Sequence, residues 1–407
     1  MRMRTTLVLA LAVAAGVACN KKKSEEQADK GTTTTPGSDT TAPKPTEPPP
    51  PAKPTPKSGQ DLANWYLECG KKMSDKKLDE FKKDCLAADA VMHQMDMKDT
   101  KADEMAAEMQ SMQTAFPDAK SEPQLVIVNG RNIFAVVLVT GTHTGTLHMP
   151  PMPDVPATNK KFGQLFFHKL AINDENKATE AWEYFDPSTM FAQLGLAPKG
   201  TPVRPVIEKG WAGAPIIVVA ADDAKEKANL EIVKKSNEAF NTHKVPDALA
   251  FWADDGLESD QAGDKDAKGK KELEAGLKTF LTAFPDVKLD VPNLYAAGDF
   301  VVALGTFSGT NTGPLGKMKK TDKKVTGNFA EVIKIKDNKV AEIWRFRNGM
   351  AMAQQLGLMP APGAAPAGGA KGAEPAKDEK KGAAEPKKDE KKGAAGGQPA
   401  KAPEPTK

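Results

Sequence analysis

The middle of the chain switches from helical to strand periodicity twice, in the same order each time. In each half, three apolar residues at helical spacing come before a proline: Met105, Met109 and Met112 before Pro117, and Leu273, Leu277 and Phe280 before Pro285. Apolar residues at this spacing form one face of a helix, and the proline ends it. The pattern therefore predicts one long helix in each half.

Shorter helices and strands flank each long helix. The segments from Asp61 to Cys85 and from Leu230 to Asp255 predict pairs of short helices upstream. After each proline, runs rich in β-branched and aromatic residues predict several strands. Helices followed by a meander of strands predict an α+β fold, in which a curved antiparallel sheet wraps the helices.

Short sequence motifs show that the two halves are copies of one unit. "TAFPDAK" at Thr114 recurs as "TAFPDVK" at Thr282, and "GTHTG" at Gly141 recurs at the same separation as "GTNTG" at Gly309. "WEYFDPSTMFAQLGLAP" from Trp182 recurs as "WRFRNGMAMAQQLGLMP" from Trp344. Internal repetition of this kind predicts tandem domains.

The N-terminal end has the composition of an export signal followed by a tether. Residues 1–18 combine arginines, an apolar run and small residues, which is typical of a signal peptide. Cys19 directly follows the small residues and so resembles the lipidated cysteine of bacterial lipoproteins; ordinary secretion is the alternative. Residues 19–58 are rich in Pro, Thr and Lys, which predicts a disordered tether. Acyl chains on Cys19 would anchor the protein to a membrane.

The remaining composition excludes some functions. Residues 361–407 form an Ala/Gly/Pro/Lys/Glu tail, predicted to be disordered, and the whole chain has a net charge of only +3. No basic stripe indicates nucleic-acid binding. No ligand spacing predicts a metal site, and no motif predicts a cofactor. Cys69 and Cys85 form either a disulfide, as an oxidising compartment favours, or two buried thiols.

The order and spacing of the helix, "AFPD", "GTHTG", the tryptophan strand and "QLGL.P" resemble the SnoaL-like ester and polyketide cyclases of the NTF2-like superfamily. The resemblance implies two tandem cone-shaped domains, at residues 59–198 and 228–360, with a linker at 199–227. Domains of that superfamily commonly pair through the outer face of the sheet. The resemblance therefore also implies either intramolecular pairing of the two copies or a homodimer. The apolar run from Ile216 to Ala220 predicts an extra strand within the linker.

The resemblance places a pocket on one face of the tryptophan strands. Alternate strand residues share a face, so the expected pocket residues are Glu180, Trp182, Tyr184, Glu342, Trp344, Phe346 and Asn348. The family's acid/base aspartate corresponds to Asp186, with His143 or His168 assisting, whereas the second copy has Asn348 at this position. Asp and Asn are equally good N-caps for the short helices that follow, so a purely structural role is the competing interpretation.

Two functions follow from these features. The first is a lipoprotein of the bacterial cell envelope, anchored to the outer membrane and facing the periplasm or the cell surface, that binds a small apolar ligand or a protein partner without catalysis. The second is a cyclase- or isomerase-like enzyme that uses Asp186 for proton transfer, with the second domain degenerate. The sequence favours the first, because cyclases of this resemblance act on biosynthetic intermediates inside the cell.

Overall fold

The computed structural model describes residues 54–95, 99–148, 153–197, 201 and 203–359. The predicted signal peptide, Cys19, nearly all of the tether and the C-terminal tail lie outside the described residues. Both repeats belong to one compact unit. Among the described helices, none is long and apolar enough to cross a membrane.

The first domain has helices at its start, a mostly antiparallel sheet, and a short helix at its end. Its helices are α1 Gly59–Ser74, α2 Leu78–Cys85, α3 Ala102–Ala115 and α4 Pro187–Gln193. Its strands are β1 Leu86–Gln94, β2 Thr100–Lys101, β3 Lys120–Asn129, β4 Asn132–Thr142, β5 Lys161–Ile172 and β6 Ala178–Tyr184. In the linker, β7 Ile216–Val219 forms the predicted extra strand and pairs in parallel with β3.

The second domain repeats this order of elements. Its helices are α5 Ala224–Phe240, α6 Val245–Leu249, α7 Gly269–Ala283 and α8 Gly349–Gln355. Its strands are β8 Trp252–Asp260, β9 Ala267–Lys268, β10 Lys288–Ala297, β11 Phe300–Thr310, β12 Lys324–Lys336 and β13 Lys339–Arg347. The sequence predicts a pair of short helices that extends to Asp255, but α6 ends at Leu249 and the strand β8 begins at Trp252.

The two sheets have the same strand order, except that the first carries the linker strand β7 as an additional edge strand. The first is β2-β1-β6-β5-β4-β3-β7, and the second is β9-β8-β13-β12-β11-β10. Neighbouring strands are antiparallel except for three parallel pairs, β1 with β6, β8 with β13, and β3 with β7. The strand that follows the short helices, β1 or β8, therefore pairs with the tryptophan strand, β6 or β13, on the side opposite the antiparallel meander. The fold is α+β, built from two tandem domains with the same order of elements, as predicted.

The repeated motifs fix the junction between the long helix and the sheet. Thr142 donates its N–H and its hydroxyl to the two carboxylate oxygens of Asp118, each at 2.7 Å, and Thr310 binds Asp286 in the same way at 2.6 and 2.7 Å. A Cβ on Gly145 would lie 2.1 Å from the carbonyl oxygen of Thr114. The "AFPD" and "GTxTG" motifs are therefore partners in one structural joint.

Each sheet is buried on both faces. The inner face of the first sheet packs on α1 and α3 through residues such as Leu62, Tyr66 and Met105. The outer faces of the two sheets pack against each other in an interdomain cluster. In this cluster the ring centroids of Phe134 and Tyr295 lie 4.7 Å apart, and those of Phe167 and Phe346 lie 5.6 Å apart.

A disulfide joins Cys69 of α1 to Cys85 at the end of α2, across a sequence separation of 16 residues. A crosslink that closes a loop of this length stabilises a protein by about 3 kcal/mol, because it restricts the unfolded chain. We expect the variant Cys69→Ser/Cys85→Ser to lose about 3 kcal/mol in urea-induced unfolding. Addition of reductant to the unmodified chain should give the same loss, and an unchanged midpoint in both cases would contradict this assignment.

Candidate functional site

Asp186 is fully buried and has both carboxylate oxygens engaged. It accepts hydrogen bonds from the N–H and hydroxyl groups of Ser188, at 3.3 and 2.6 Å, and from those of Thr189, at 2.9 and 2.7 Å. A fifth bond, of 2.9 Å, comes from the N–H of Gly349 in the second domain. Asp186 is therefore the N-cap of α4 and also a contact between the domains.

Asn348 occupies the matching position at the start of α8, but its partners across the interface differ. Its Oδ1 accepts the N–H of Ala351 at 2.9 Å, and its Nδ2 donates to the carbonyl oxygen of Met95 in the first domain at 3.2 Å. Asp186 faces a donor across the interface, whereas Asn348 faces an acceptor. The Asp-to-Asn exchange between the copies follows from this difference and favours the capping interpretation over proton transfer.

His143 is a buried residue of a turn. Its Nδ1 lies 3.1 Å from Oγ1 of Thr158, and its ring lies 5.2 Å from that of Phe116. Burial lowers the pKa of its imidazole and so favours the neutral ring. Asn311 occupies the same turn in the second domain, where its side chain binds backbone groups. Both residues therefore shape this turn.

His168 lies on the inner face of the first sheet, between two polar partners. Its Nδ1 lies 3.0 Å from the hydroxyl of Tyr66, and its Nε2 lies 3.4 Å from Oε2 of Glu183. Burial, reinforced by the negative charge of Glu183, raises the pKa of the Tyr66 hydroxyl well above its ordinary value. His168 is among the residues predicted from the sequence, whereas its partners Tyr66 and Glu183 are not.

The first-domain residues predicted to line a pocket lie on the outer side of the sheet instead. The ring of Trp182 stacks on His93 at 4.8 Å and lies under Nζ of Lys169 at 3.7 Å. Tyr184 packs against the interdomain cluster, and Glu180 is exposed near Lys169. Burial lowers the pKa of Lys169, and Glu180 partly opposes this effect.

The second-domain residues predicted to line a pocket also face away from the inner surface. Trp344 and Phe346 pack in the interdomain cluster, where the linker residue Trp211 contacts Trp344 at 5.1 Å. Glu342 pairs with Lys334 at 2.8 Å, and Asn348 is the N-cap described above. The predicted pocket face of β13 is therefore wrong: strand alternation was applied with the opposite parity.

A cavity of about 700 Å³ lies on the inner face of the second sheet, between that sheet and helices α5 and α7. Its apolar lining includes Val233, Phe240, Trp252, Leu273, Phe280, Phe307, Phe329, Ile333 and Ile343. A volume of this size is typical of sites for small molecules. From β13 the cavity receives Ile343, Arg345 and Arg347, which alternate with Trp344 and Phe346.

A cluster of charged side chains forms one wall of this cavity. Arg345 donates through Nε to Oε1 of Glu331 at 2.6 Å and through Nη1 to Glu258. Arg347 donates through Nε to Oδ2 of Asp260 at 2.8 Å. We call Glu258, Asp260, Glu331, Arg345 and Arg347 the charged cluster; none of them is among the site residues predicted from the sequence.

The cluster favours the charged forms of Arg345 and Asp260. Burial opposes the charge of Arg345, but the nearby carboxylates of Glu258, Glu331 and Asp260 outweigh it and raise the pKa of the guanidinium. Burial likewise opposes ionisation of Asp260, but Arg347 and Arg345 outweigh it and lower the pKa of this carboxyl. Asp260 therefore stabilises the folded chain at neutral pH and loses this contribution as the pH falls through its lowered pKa.

The first domain has different polar residues at the equivalent inner positions. His168 pairs with Glu183 across β5 and β6 where Glu331 pairs with Arg345 across β12 and β13. The two domains therefore have the same strand pairing but different polar side chains on the inner face of the sheet. Among the described residues, no group of three or more His, Cys, Asp or Glu side chains is placed to hold a metal ion.

Comparison with known proteins supports the relationship that the fold suggests. The family model for SnoaL-like polyketide cyclases matches residues 60–194 and 231–356, which together make up more than half of the chain. No curated protein sequence matches the chain.

Solved structures also resemble one domain at a time. AclR from Streptomyces galilaeus is 22% identical, covers 33% of this chain with 85% of its own and has a TM-score of 0.31. TsrD from Streptomyces laurentii is 18% identical, covers 34% of this chain with 100% of its own and has a TM-score of 0.31. An NTF2-like protein from Burkholderia xenovorans LB400 is 20% identical, covers 32% of this chain with 97% of its own and has a TM-score of 0.28. By its two family matches, the chain belongs to the SnoaL-like polyketide cyclase family, as a tandem of two such domains.

Proposed function

We propose that this chain is a binding protein of the bacterial cell envelope whose second domain holds a small, largely apolar molecule without converting it. The observation that carries this proposal is the cavity of about 700 Å³ between α5, α7 and the inner face of the second sheet. Aromatic and aliphatic side chains form most of its wall, the charged cluster forms one part of it, and further polar residues such as Ser236, Asn237 and Thr279 complete the lining. This combination is typical of small-molecule sites.

The location is part of the same proposal and is supported by the N-terminal sequence. Cys19 follows an apolar run and small residues, which supports lipidation and anchoring to the outer membrane. The first domain then acts as a scaffold, since its outer face covers that of the second sheet in the interdomain cluster. This arrangement supports intramolecular pairing over pairing with a second chain.

The alternative, a cyclase- or isomerase-like enzyme that uses Asp186, has less support. A general base must have an oxygen within reach of the proton it removes. Both oxygens of Asp186 already accept hydrogen bonds, from Ser188, Thr189 and Gly349, and the residue is fully buried. Proton transfer by this carboxylate would require these bonds to break.

A matched pair of glycine substitutions tests the cavity. Gly276 of α7 lines the cavity and Gly70 of α1 does not, and at neither position would an added Cβ meet another atom within 4 Å. We expect Gly276→Phe to fill the cavity and to abolish ligand retention without a clash with the backbone. Native mass spectrometry of the full chain purified from its host should show an additional mass on the unmodified chain and on Gly70→Phe, but not on Gly276→Phe.

Two results would contradict this proposal. An additional mass retained by Gly276→Phe would place the ligand elsewhere in the chain. An unmodified chain that carries no additional mass would show that the cavity holds nothing under the conditions of its host. Circular dichroism of both variants serves as the control for folding.

A further inference from the structure

The charges around the cavity do not balance. The charged cluster contains three carboxylates, those of Glu258, Asp260 and Glu331, but only two guanidinium groups, those of Arg345 and Arg347. Arg345 forms ion pairs with both Glu258 and Glu331, while Arg347 forms an ion pair with Asp260. The cluster is therefore one positive charge short of neutrality.

This surplus charge lies where water screens it poorly. The side chain of Glu331 is only 6% exposed, and those of Glu258 and Asp260 are 22% and 19% exposed. A carboxylate removed from water is costly unless a cation compensates it. A positively charged ligand group in the cavity would supply the missing charge, whereas an anionic group would add a fourth negative charge.

The apolar lining beside the cluster suits the same kind of ligand, since Phe329 is the cross-strand neighbour of Arg347. Trp252, Phe307 and Phe329 line the cavity together with aliphatic side chains. Aromatic faces attract organic cations through the ring quadrupole, and they also bury apolar chains. Beyond the charged cluster, Glu272, Asp264 and Asp266 add three carboxylates to the lining, against Lys265 and the Arg204 that pairs with Asp266, so the surroundings of the cavity stay net negative.

We infer that the second-domain cavity selects an organic cation, an amine or quaternary ammonium group on an apolar body, over anionic or uncharged molecules of the same shape. This inference rests on the proposed binding function and adds the chemical class of its ligand. The apolar body occupies the space between α5, α7 and the sheet, and the cationic group lies beside Glu331 and Glu258.

Three probes with the same alkyl chain test this inference on the full chain. They are octyltrimethylammonium, octanol and octyl sulfate, titrated by calorimetry below their critical micelle concentrations. We expect octyltrimethylammonium to bind at least about tenfold more tightly than octanol, which corresponds to about 1.4 kcal/mol. Octyl sulfate should bind more weakly than octanol.

The variant Glu331→Gln tests whether the cluster is the cause. Glutamine keeps an acceptor for Nε of Arg345 but leaves two carboxylates against two guanidinium groups, so the preference for the cation over octanol should fall toward one. A preference that persists unchanged in this variant would overturn the inference.

The outcomes separate the inference from the proposed function. Equal binding of the cation and octanol, both abolished by Gly276→Phe, would leave the binding function standing and overturn the ligand class. Tightest binding of octyl sulfate would do the same. Failure of all three probes to bind would overturn both.

Discussion

Replacing Arg345 by methionine is expected to lower the free energy of unfolding by about 4 kcal/mol, because removal of one partner leaves a buried charge uncompensated. Arg345 is the counter-ion of Glu331, whose side chain is 6% exposed, and of Glu258. Urea denaturation followed by circular dichroism measures the loss. The double variant Arg345→Met/Glu331→Leu should recover more than half of it, because the most deeply buried carboxylate is then removed as well.

The same two strands provide the control. Lys334 of β12 pairs with Glu342 of β13 at 2.8 Å, with side chains that are 39% and 29% exposed. Exposed ion pairs contribute little, so Lys334→Met should cost less than about 1 kcal/mol. Equal losses for Arg345→Met and Lys334→Met would contradict the interpretation of the charged cluster as a mutually dependent set built around the buried carboxylate of Glu331.

Asp186→Ala is expected to cost about 4 kcal/mol, because it removes an N-cap and leaves the buried N–H of Thr189 and the partly buried N–H groups of Ser188 and Gly349 without an acceptor. Asp186→Asn should also destabilise the chain, by about 2 kcal/mol, because each carboxylate oxygen accepts at least one backbone N–H, which cannot accept in turn, so the new amide nitrogen would face a donor. Thermal or urea unfolding measures both losses.

Two further substitutions serve as comparisons for Asp186→Asn: the reverse exchange at Asn348, and the same exchange at Asp223, an N-cap that makes no hydrogen bond to the other domain among the described residues. Asn348→Asp would turn a carboxylate oxygen toward the carbonyl of Met95, so it should destabilise the chain by a similar amount. Asp223 caps α5 through one bond to the N–H of Glu226, at 2.8 Å, and is exposed, so Asp223→Asn should be nearly neutral. If Asp186→Asn were as harmless as Asp223→Asn, the proposed role of Asp186 between the domains would be wrong.

Much of the fold is predictable because periodicity and internal repetition agree. The long helices before Pro117 and Pro285, the strands that follow them and the linker strand at Ile216–Val219 all appear in the structure. Each motif occurs once in each half of the chain and in the same order, which predicts the tandem arrangement. The strands β1 and β8 were harder to predict, because they follow directly on short helices and contain charged residues.

The direction of the pocket could not be predicted from strand alternation, because both faces of β13 are covered. Trp344 and Phe346 are the bulkier residues and therefore indicate the core, but the core they join is the interdomain cluster. The sequence of one domain does not show which face of β13 lines the cavity, because the outer face is buried only by contact with the other domain. Only the assembled tandem reveals which parity faces inward.

The charged cluster was missed for a related reason. In "EIWRFR", Arg345 and Arg347 alternate with aromatic residues, which is the usual pattern of a strand with one face in water. In the structure these arginines point into the cavity and pair with Glu258, Asp260 and Glu331. A signal was present in Glu331 itself, a lone carboxylate within the apolar strand β12, of which it is a buried member.

The claim that the second-domain cavity is the ligand site is tested most directly by a crystal structure of the full chain soaked with bromo-octanol. The anomalous signal of bromine locates the probe without reference to any expected pose. We expect a peak between α7 and the inner face of the second sheet, in contact with side chains such as Phe329 and Ile343. A peak beside Trp182 on the outer face of the first sheet, with none in the cavity, would contradict it.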